Sequence, residues 1–389
     1  MNTMNEKIPI RLCISSSMRT ENPLLMESFE LSQAKEFGKE IEKVILVHHA
    51  RNFSHRELMN NVHVYTIPSF EHKSWLWFAF SIITDYFLTL PILIWLIQKY
   101  GINLIRIDDL LITGLPSVLA SRILHKPSIV YLRGNSIKSV KYQMHDTKEI
   151  FRSLAIRLCS WLVKFVMVKS DASIAVNSEL YDLAKAFGSK KRYLSYVHFE
   201  PNRFKTKEHK NVTNNFTVIN VGRLEKEKGS FVMLEIASVL RDVNFKIVGG
   251  GSQRKNLMRI IKEKKLTNVT ILGGIPYDEM DKVYNTADVF VLPSFSEGLP
   301  ITMLEAMASE LPVIVSNVGD VAKILKGENG GFVVSPGNVD EIVSKIKLLK
   351  NDEKLRKSLG KKGRINAIST FGNFIKDQIT IYQDITKIV

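Results

Sequence analysis

The sequence predicts an α/β protein of two Rossmann-like domains facing across a cleft. Three observations carry this. Strand-like apolar runs alternate with helix-period segments along most of the chain, the pattern of a parallel sheet covered on both faces. A polar stretch at 201–215, PNRFKTKEHKNVTNN, interrupts the alternation, which then restarts. At 389 residues the chain exceeds what one hydrophobic core usually serves. The expected division is a first domain at 1–200, a linker at 201–215, a second domain at 216–371 and a terminal helix at 372–389.

In chain order, Ile8 to Ser15 (IPIRLCIS) reads as a strand and Leu24 to Phe37 as a helix. VILVHH (Val44 to His49) and VHVYTI (Val62 to Ile67) are β-branched, apolar strands. Trp75 to Ile97 is apolar enough to approach the length of a bilayer span. Asp85 near its centre and Pro91 within it argue instead for a core helix pair or a helix lying in a membrane interface. NLIRID is the next strand, Leu115 to Leu124 a helix, and SIVYLRG (Ser128 to Gly134) a strand closed by a glycine turn. Glu149 to Lys169 is helical and ASIAVNS a strand.

After the linker come FTVINVG, a helix at Ser230 to Leu240, NFKIVGG, a helix at Gln253 to Lys264, and VTILG. Then follow a helix at Tyr277 to Tyr284, DVFVLPS, a helix at Ile301 to Ala308, PVIVS and FVVS. From Asp340 the chain is helical, and the last helix, about Gly372 to Ile388, has no strand after it.

Composition narrows the class. Cys13 and Cys159 stand far apart with no partner at metal-ligand spacing, which fits a reducing cytoplasm. The opening MNTMNEKIPIRLCISS lacks the apolar core and cleavage site of a signal peptide. Net charge is +15, and in the first half the excess lies in one block: residues 120–192 hold 14 Lys/Arg against 5 Asp/Glu. Such a block suits an anionic surface. A nucleic-acid binder would interleave aromatic and basic residues on a platform, and no such motif appears, so no nucleic-acid partner is expected.

Ligands of open parallel sheets bind beyond the carboxyl ends of the strands, and four strand ends of the second domain are informative. VGRLEKEKGS sets Gly222, Arg223 and Lys228 ahead of a helix, a pairing of cations and helix N-terminus suited to a diphosphate. KIVGGGS supplies Gly249 and Gly250, where backbone can approach a nucleotide closely. In FSEGLPITMLEAMA, Glu297 and Glu305 are separated by seven residues, with Pro300 at the first helical position. Glu305 then lies about 7 Å along the helix. Backbone N–H groups near Gly298 and Leu299 form an anion site, and carboxylates on either side of it are suited to hydroxyls. A ligand with hydroxyls, then phosphates, then hydroxyls is a nucleotide sugar: Glu297 would face its sugar and Glu305 its ribose. VIVSNVGDV places Gly319 at the border of the same site as a shape element.

The second domain resembles the nucleotide-binding domain of the retaining glycosyltransferases of family 4, which have the GT-B fold. The resemblance rests on GRLEKEKG, VGGG, ILGGIP, the EGLPITMLEAMASELPVIVSNVG block and NGGFVVSPGN, over about residues 217–340. It implies that Arg223 and Lys228 bind the donor diphosphate, Glu297 the transferred sugar and Glu305 the ribose. It also implies backbone donors at Gly298 and Leu299, an acceptor-binding first domain, and a terminal helix that crosses back onto that domain. The first domain departs from the family's pattern. SSSMRTENPL has no glycine where a glycine-rich loop is usual. Arg133 and Asn135 follow SIVYL, where the family often has a histidine, and become the candidates for acceptor or donor sugar.

The expected reaction moves a sugar from a nucleotide-diphosphate sugar to a hydroxyl of a glycan or lipid-linked acceptor, in cell-surface polysaccharide or glycolipid synthesis. Charge growing on the leaving diphosphate would be met by Arg223, Lys228 and a helix N-terminus. No DxD sequence occurs, and no metal or cofactor is expected. Retention follows from the resemblance alone, and Glu297 is not assigned as a nucleophile. The helix Glu149 to Lys169 mixes Phe151, Trp161 and Phe165 with Arg152, Arg157, Lys164 and Lys169, a composition suited to an anionic membrane surface or to a core helix with basic edges. The expected place is the cytoplasm, peripheral on the inner face of the plasma membrane. The alternatives are a nicotinamide-dependent oxidoreductase, which leaves the two glutamates unexplained, and a catalytically inactive nucleotide-sugar-binding relative.

Overall fold

The structure is a computed structural model that describes residues 7–19, 29–50, 52–69, 75–143, 149–196, 199–204, 206, 216–326 and 329–387. The chain divides into two compact units, Met1–Tyr196 with Ile375–Val389, and Val197–Phe374.

Among the described residues, unit 1 is built on an eight-stranded sheet. Its elements are β1 (Ile8–Arg19), α1 (Phe29–Glu40), β2 (Ile41–Ala50), β3 (Ser54–Met59), β4 (Val62–Pro68), α2 (Trp75–Tyr100) and β5 (Leu104–Ile107). They continue as α3 (Gly114–Ile123), β6 (Ser128–Leu132), α4 (Ser136–Gln143), α5 (Glu149–Lys169), β7 (Ala172–Ala175), α6 (Ser178–Ala186) and β8 (Lys191–Leu194). The strand order is β3-β4-β2-β1-β5-β6-β7-β8, all parallel except β3, which pairs antiparallel with β4. Val44 to Val47 and Leu104 to Ile107 are wholly buried, as a sheet covered on both faces requires.

Several expectations change here. β1 runs on to Arg19, four residues past the expected end, so part of SSSMRTENPL is strand; its remainder lies outside the described residues. α1 is described from Phe29 and runs to Glu40, three residues past the expected Phe37; Leu24 to Ser28 lie outside the described residues. The apolar stretch at Trp75 is one 26-residue helix, not a helix pair. Pro91 sits on its exposed side, where the missing N–H bond is tolerated because water can reach the freed carbonyl. Asp85 is buried and accepts a hydrogen bond from Ser69 Oγ at 3.1 Å. No described helix is long and apolar enough to cross a membrane. The strands β3 and β8 are edge strands with weak apolar pattern, and α4 and α6 are short; sequence reading passed over all four.

Both cysteines are free and buried. Burial pushes the Cys13 thiol up to about 12 and raises Cys159, so neither is a ready nucleophile.

Among the described residues, unit 2 carries a six-stranded parallel sheet. Its elements are β9 (Thr217–Val221), α7 (Ser230–Val239), β10 (Asn244–Val248), α8 (Arg254–Glu263), β11 (Val269–Gly273), α9 (Met280–Tyr284), β12 (Val289–Leu292) and α10 (Ile301–Ala308). Then come β13 (Val313–Ser316), α11 (Val321–Ile324), β14 (Gly331–Val334), α12 (Val339–Asn351) and α13 (Glu353–Phe371), whereas the last helix, α14 (Phe374–Thr386), belongs to unit 1 from Ile375 on. The strand order is β11-β10-β9-β12-β13-β14. The chain winds outward from β9 through β10 to β11, then returns to lay β12 against the other side of β9. That reversal is a topological switch point, where open α/β sheets leave a crevice.

The expected linker begins as a 3-10 turn, Pro201–Arg203, followed by the fully buried Phe204. Phe204 packs against Phe199, Tyr277 and Tyr284 with ring centroids at 5.8, 6.1 and 6.0 Å. The start of this stretch is therefore anchored by one aromatic side chain. Residues 205 and 207–215 lie outside the described residues.

Candidate functional site

The loops after β9 and β12 flank the switch point of unit 2. One backbone bond ties the loops together and one side-chain bond ties the strands that carry them. Phe295 N–H donates to Glu227 O at 2.8 Å, and Asn220 Nδ2 donates to Val291 O at 2.8 Å. Gly229, with φ 71°, turns the chain into α7, and a Cβ there would stand 2.0 Å from Pro293 O. Gly319, with φ 59°, lies so close to the loop after β12 that a Cβ would meet Gly298 O at 2.2 Å and Glu297 O at 2.5 Å. Only glycine fits both the dihedral and the space. Asp320 N–H then donates to Gly298 O at 3.0 Å, pinning that loop from the β13 side. Gly249, beyond β10, abuts the carbonyl of Gly222, and Gly250 O accepts from Leu224 N at 2.8 Å. Gly222, Gly249 and Gly250 thus form one stacked turn, while Gly298 and Leu299 lead into α10. Pro300 is the residue before the helix rather than its first member.

Lys228 and Glu297 meet across the switch point: Lys228 Nζ is 2.8 Å from Glu297 Oε2. Ser294 Oγ donates to the other oxygen, Oε1, at 2.8 Å. Their side chains are 19% and 10% exposed, so both are fixed yet reachable. A partly buried pair of this kind orients the ammonium and leaves it further donors for a phosphate. Arg223 is placed differently. Its side chain is 70% exposed, and Nη2 lies 3.3 Å from Glu227 Oε1. The structure brings Lys228 to Glu297 and leaves Arg223 at the rim.

Glu305 is 5% exposed on the buried side of α10. Its Oε2 accepts a hydrogen bond from the Tyr284 hydroxyl at 2.6 Å. Burial raises its carboxyl to about 6, opposed by the Tyr284 bond and the charge of Arg203. The carboxylate is therefore ionised at neutral pH at a cost. Arg203 stacks over the Tyr277 ring at 4.3 Å and pairs with Asp278. Sequence reading missed Tyr284, Ser294 and Arg203. Tyr284 closes the helix before ADVFVLPS, and nothing in its local pattern announces a partner 21 positions on.

In unit 1, Arg133 and Asn135 follow β6. Arg133 Nη2 is 3.3 Å from Asp108 Oδ2, and Asn135 Oδ1 accepts from Lys138 N at 3.2 Å near the start of α4. Asp108 also binds Arg106, through Nε at 2.7 Å and Nη2 at 2.9 Å. Arg106 is fully buried, lies over the Tyr131 ring at 3.9 Å, and donates to the Tyr382 hydroxyl of α14 at 3.3 Å. His48, at the end of β2, is 2% exposed, and burial lowers its imidazole to about 4. It is neutral at pH 7. His49 Nε2 lies 3.1 Å from Thr89 Oγ1.

Residues 202–366 match the family model described as glycosyl transferases group 1. The capsular polysaccharide biosynthesis glycosyltransferase CapM of Staphylococcus aureus is 29% identical over 277 residues, 67% of this chain and 71% of CapM. Other curated relatives, at 31–33% identity, are matched over only 29–44% of their own length. Among solved structures, sucrose-phosphate synthase from Thermosynechococcus elongatus superposes with TM-score 0.75 over 97% of this chain and 99% of that one, at 17% identity. Anabaena Alr3699/HepE in complex with UDP and glucose gives 0.70 over 96% and 99%, at 16% identity. These likenesses show the fold, two Rossmann-like α/β units of the GT-B type.

Proposed function

Residues 202–366 match the glycosyl transferases group 1 family, and from that match we propose that the chain moves a sugar from a nucleotide-diphosphate sugar to a hydroxyl of a glycan or lipid-linked acceptor, with retention at the anomeric carbon. The observation that carries this is the ion pair of Lys228 and Glu297 across the switch point of unit 2, with the buried carboxylate of Glu305 further along α10. The likeness to CapM supports an acceptor in cell-surface polysaccharide or glycolipid synthesis.

Lys228 donates to the donor diphosphate while Glu297 keeps it oriented. As the anomeric C–O bond breaks, negative charge grows on the diphosphate. Lys228, Arg223 and the N-terminus of α7 stabilise it, which favours departure without a metal ion. Arg223, exposed at the rim beside Glu227, reaches the phosphate as its charge grows in the transition state. Glu297 meets sugar hydroxyls on its sugar-facing side, and Gly298 and Leu299 supply backbone N–H groups. Glu305, ionised, accepts from the ribose hydroxyls with the oxygen opposite Tyr284. The departing phosphate takes the acceptor proton, so no protein nucleophile is required. Arg133 and Asn135 of unit 1 serve the acceptor or the donor sugar. The protein acts in the cytoplasm, where its two free thiols stay reduced.

The test is a panel of nucleotide sugars scored by thermal shift and slow donor hydrolysis, with NADH as control and with EDTA in a parallel arm. Stabilisation and hydrolysis by at least one nucleotide sugar, unaffected by EDTA, is expected. A shift with NADH alone would overturn the assignment, and EDTA-sensitive hydrolysis restored by Mn²⁺ would overturn metal independence.

A further inference from the structure

We propose that Arg203 is a positioning residue for Glu305. The strap at residues 199–204, by which the chain enters unit 2, braces the aromatic pair that holds Glu305. Arg203 supplies the positive charge this buried carboxylate needs, without pairing with it. The inference rests on the reading of Glu305 as the ribose acceptor and adds a residue to that site.

The strap is locked to the support of Glu305 by side chain and by backbone. Phe204 is fully buried and crosses two rings of unit 2 at steep angles, Tyr277 at 77° and Tyr284 at 70°. Tyr284 packs in turn on Phe290 of β12 at 6.3 Å and gives its hydroxyl to Glu305. Arg364 of α13 donates to Phe204 O at 2.7 Å and also to Ala308 O, at the end of α10. One guanidinium therefore ties the strap to the helix that carries Glu305. Arg203 completes the array from its outer side. It lies 4.3 Å over the Tyr277 ring and pairs with Asp278, so two contacts fix where its charge sits.

Glu305 needs such a charge. Among the described residues its partner is the Tyr284 hydroxyl, on Oε2, and no lysine or arginine pairs with it. A buried carboxylate without a cation takes up a proton readily. A direct ion pair would prevent that but would occupy the oxygen a ribose hydroxyl needs. From one ring away, Arg203 opposes the effect of burial and leaves Oε1 to the ligand. The other charged and titratable groups around α10 do not serve. Arg364 is engaged by two carbonyls. Asp278 and Glu200 are acidic, and Tyr277 and Tyr284 stay neutral because burial raises both hydroxyls. Glu305 is the one titratable residue of α10, β12 and β13.

The experiment compares full-length wild type, Arg203→Gln, Arg203→Lys, Glu305→Gln and the Arg203→Gln/Glu305→Gln double variant. NMR with side-chain ¹³C-labelled glutamate follows the Glu305 carboxyl, assigned by its absence in Glu305→Gln. Donor Kd is measured at pH 6 and pH 8 with UDP-glucose, GDP-mannose or ADP-glucose, whichever gives the largest thermal shift. In Arg203→Gln the Glu305 titration should move up by about half a pH unit to one unit. Fewer molecules are then ionised at pH 6, while nearly all still are at pH 8. Donor Kd should accordingly be about two- to fivefold weaker than wild type at pH 6 and equal to it at pH 8. Lysine keeps the charge, so Arg203→Lys should restore most of both properties. In the Glu305→Gln background, Arg203→Gln should leave Kd unchanged. An unmoved Glu305 titration in Arg203→Gln would overturn the proposal. So would an equal loss of affinity at both pH values, the mark of lost packing alone, or an effect of Arg203→Gln that persists in the Glu305→Gln background. If wild type binds no nucleotide sugar the donor reading falls, and the titration still decides whether Arg203 governs Glu305.

Discussion

Glu305→Gln separates stability from function at one buried atom pair. The carboxyl is 5% exposed, and burial lifts it from an ordinary 4.5 to about 6. Between pH 4.5 and 6 the folded protein holds more protons on this group than the unfolded chain does. Its contribution to stability therefore falls as pH rises through that window, by about 2 kcal/mol in all. Glutamine cannot ionise, and its amide oxygen can still accept from Tyr284. The variant should thus be more stable than wild type above pH 6, by about 2 kcal/mol, or about 4–8 °C in Tm for a unit of this size. The gain should vanish below pH 4.5. Donor affinity should move the other way, because hydrogen bonds from ribose to a charged acceptor are lost, a change worth about 1.5–3 kcal/mol or roughly 10–100-fold in Kd. Thermal melts at pH 4.5 and 7.5, with titration of a nucleotide sugar, read both. A variant less stable than wild type at pH 7.5, or one with unchanged donor affinity, would refute the reasoning.

Four further outcomes follow from the geometry. Tyr284→Phe removes the bond that holds Glu305 ionised, so the pH below which donor binding weakens should move upward; KM against pH measures it. Arg223→Ala should lower kcat by about 100-fold or more while donor Kd changes little, because the rim guanidinium acts on charge that grows in the transition state. Gly319→Ala would press a methyl group onto Gly298 O and hold a strained φ, so donor-induced thermal shift should be lost and Tm lowered. Asp108→Ala should cost about 3–5 kcal/mol in a denaturant melt, since it leaves the buried Arg106 guanidinium without its carboxylate.

The second unit was far more legible in sequence than the first. Its strands end in glycines and charged residues within a few positions of each other, so Lys228, Glu297 and Glu305 could be picked out locally. Contacts between loops could not. Lys228 and Glu297 are 69 positions apart, and only the return of β12 to the side of β9 makes them neighbours. Gly319 was read as a matter of shape; the reason, two carbonyls against its Cα, needs coordinates. In the first unit, edge strands β3 and β8 carry little apolar signal because one side of each is open to water. Arg106 was hidden inside NLIRID. A guanidinium within a buried strand is tolerable only because Asp108, two residues on, lies on the same side to meet it. Alternation along the strand held that information, and the charged pair reads from sequence as surface. The apolar groups of α5 were visible as composition, but which of them faced the core or water depended on which side the sheet would take.

The most direct measurement is the structure of the protein with a bound nucleotide-diphosphate sugar. The account predicts the diphosphate within hydrogen-bond distance of Lys228 Nζ, with ribose hydroxyls on Glu305 and sugar hydroxyls on the Glu297 side. A donor bound elsewhere on unit 2, with Lys228 still paired only to Glu297 and Glu305 still facing only Tyr284, would contradict it.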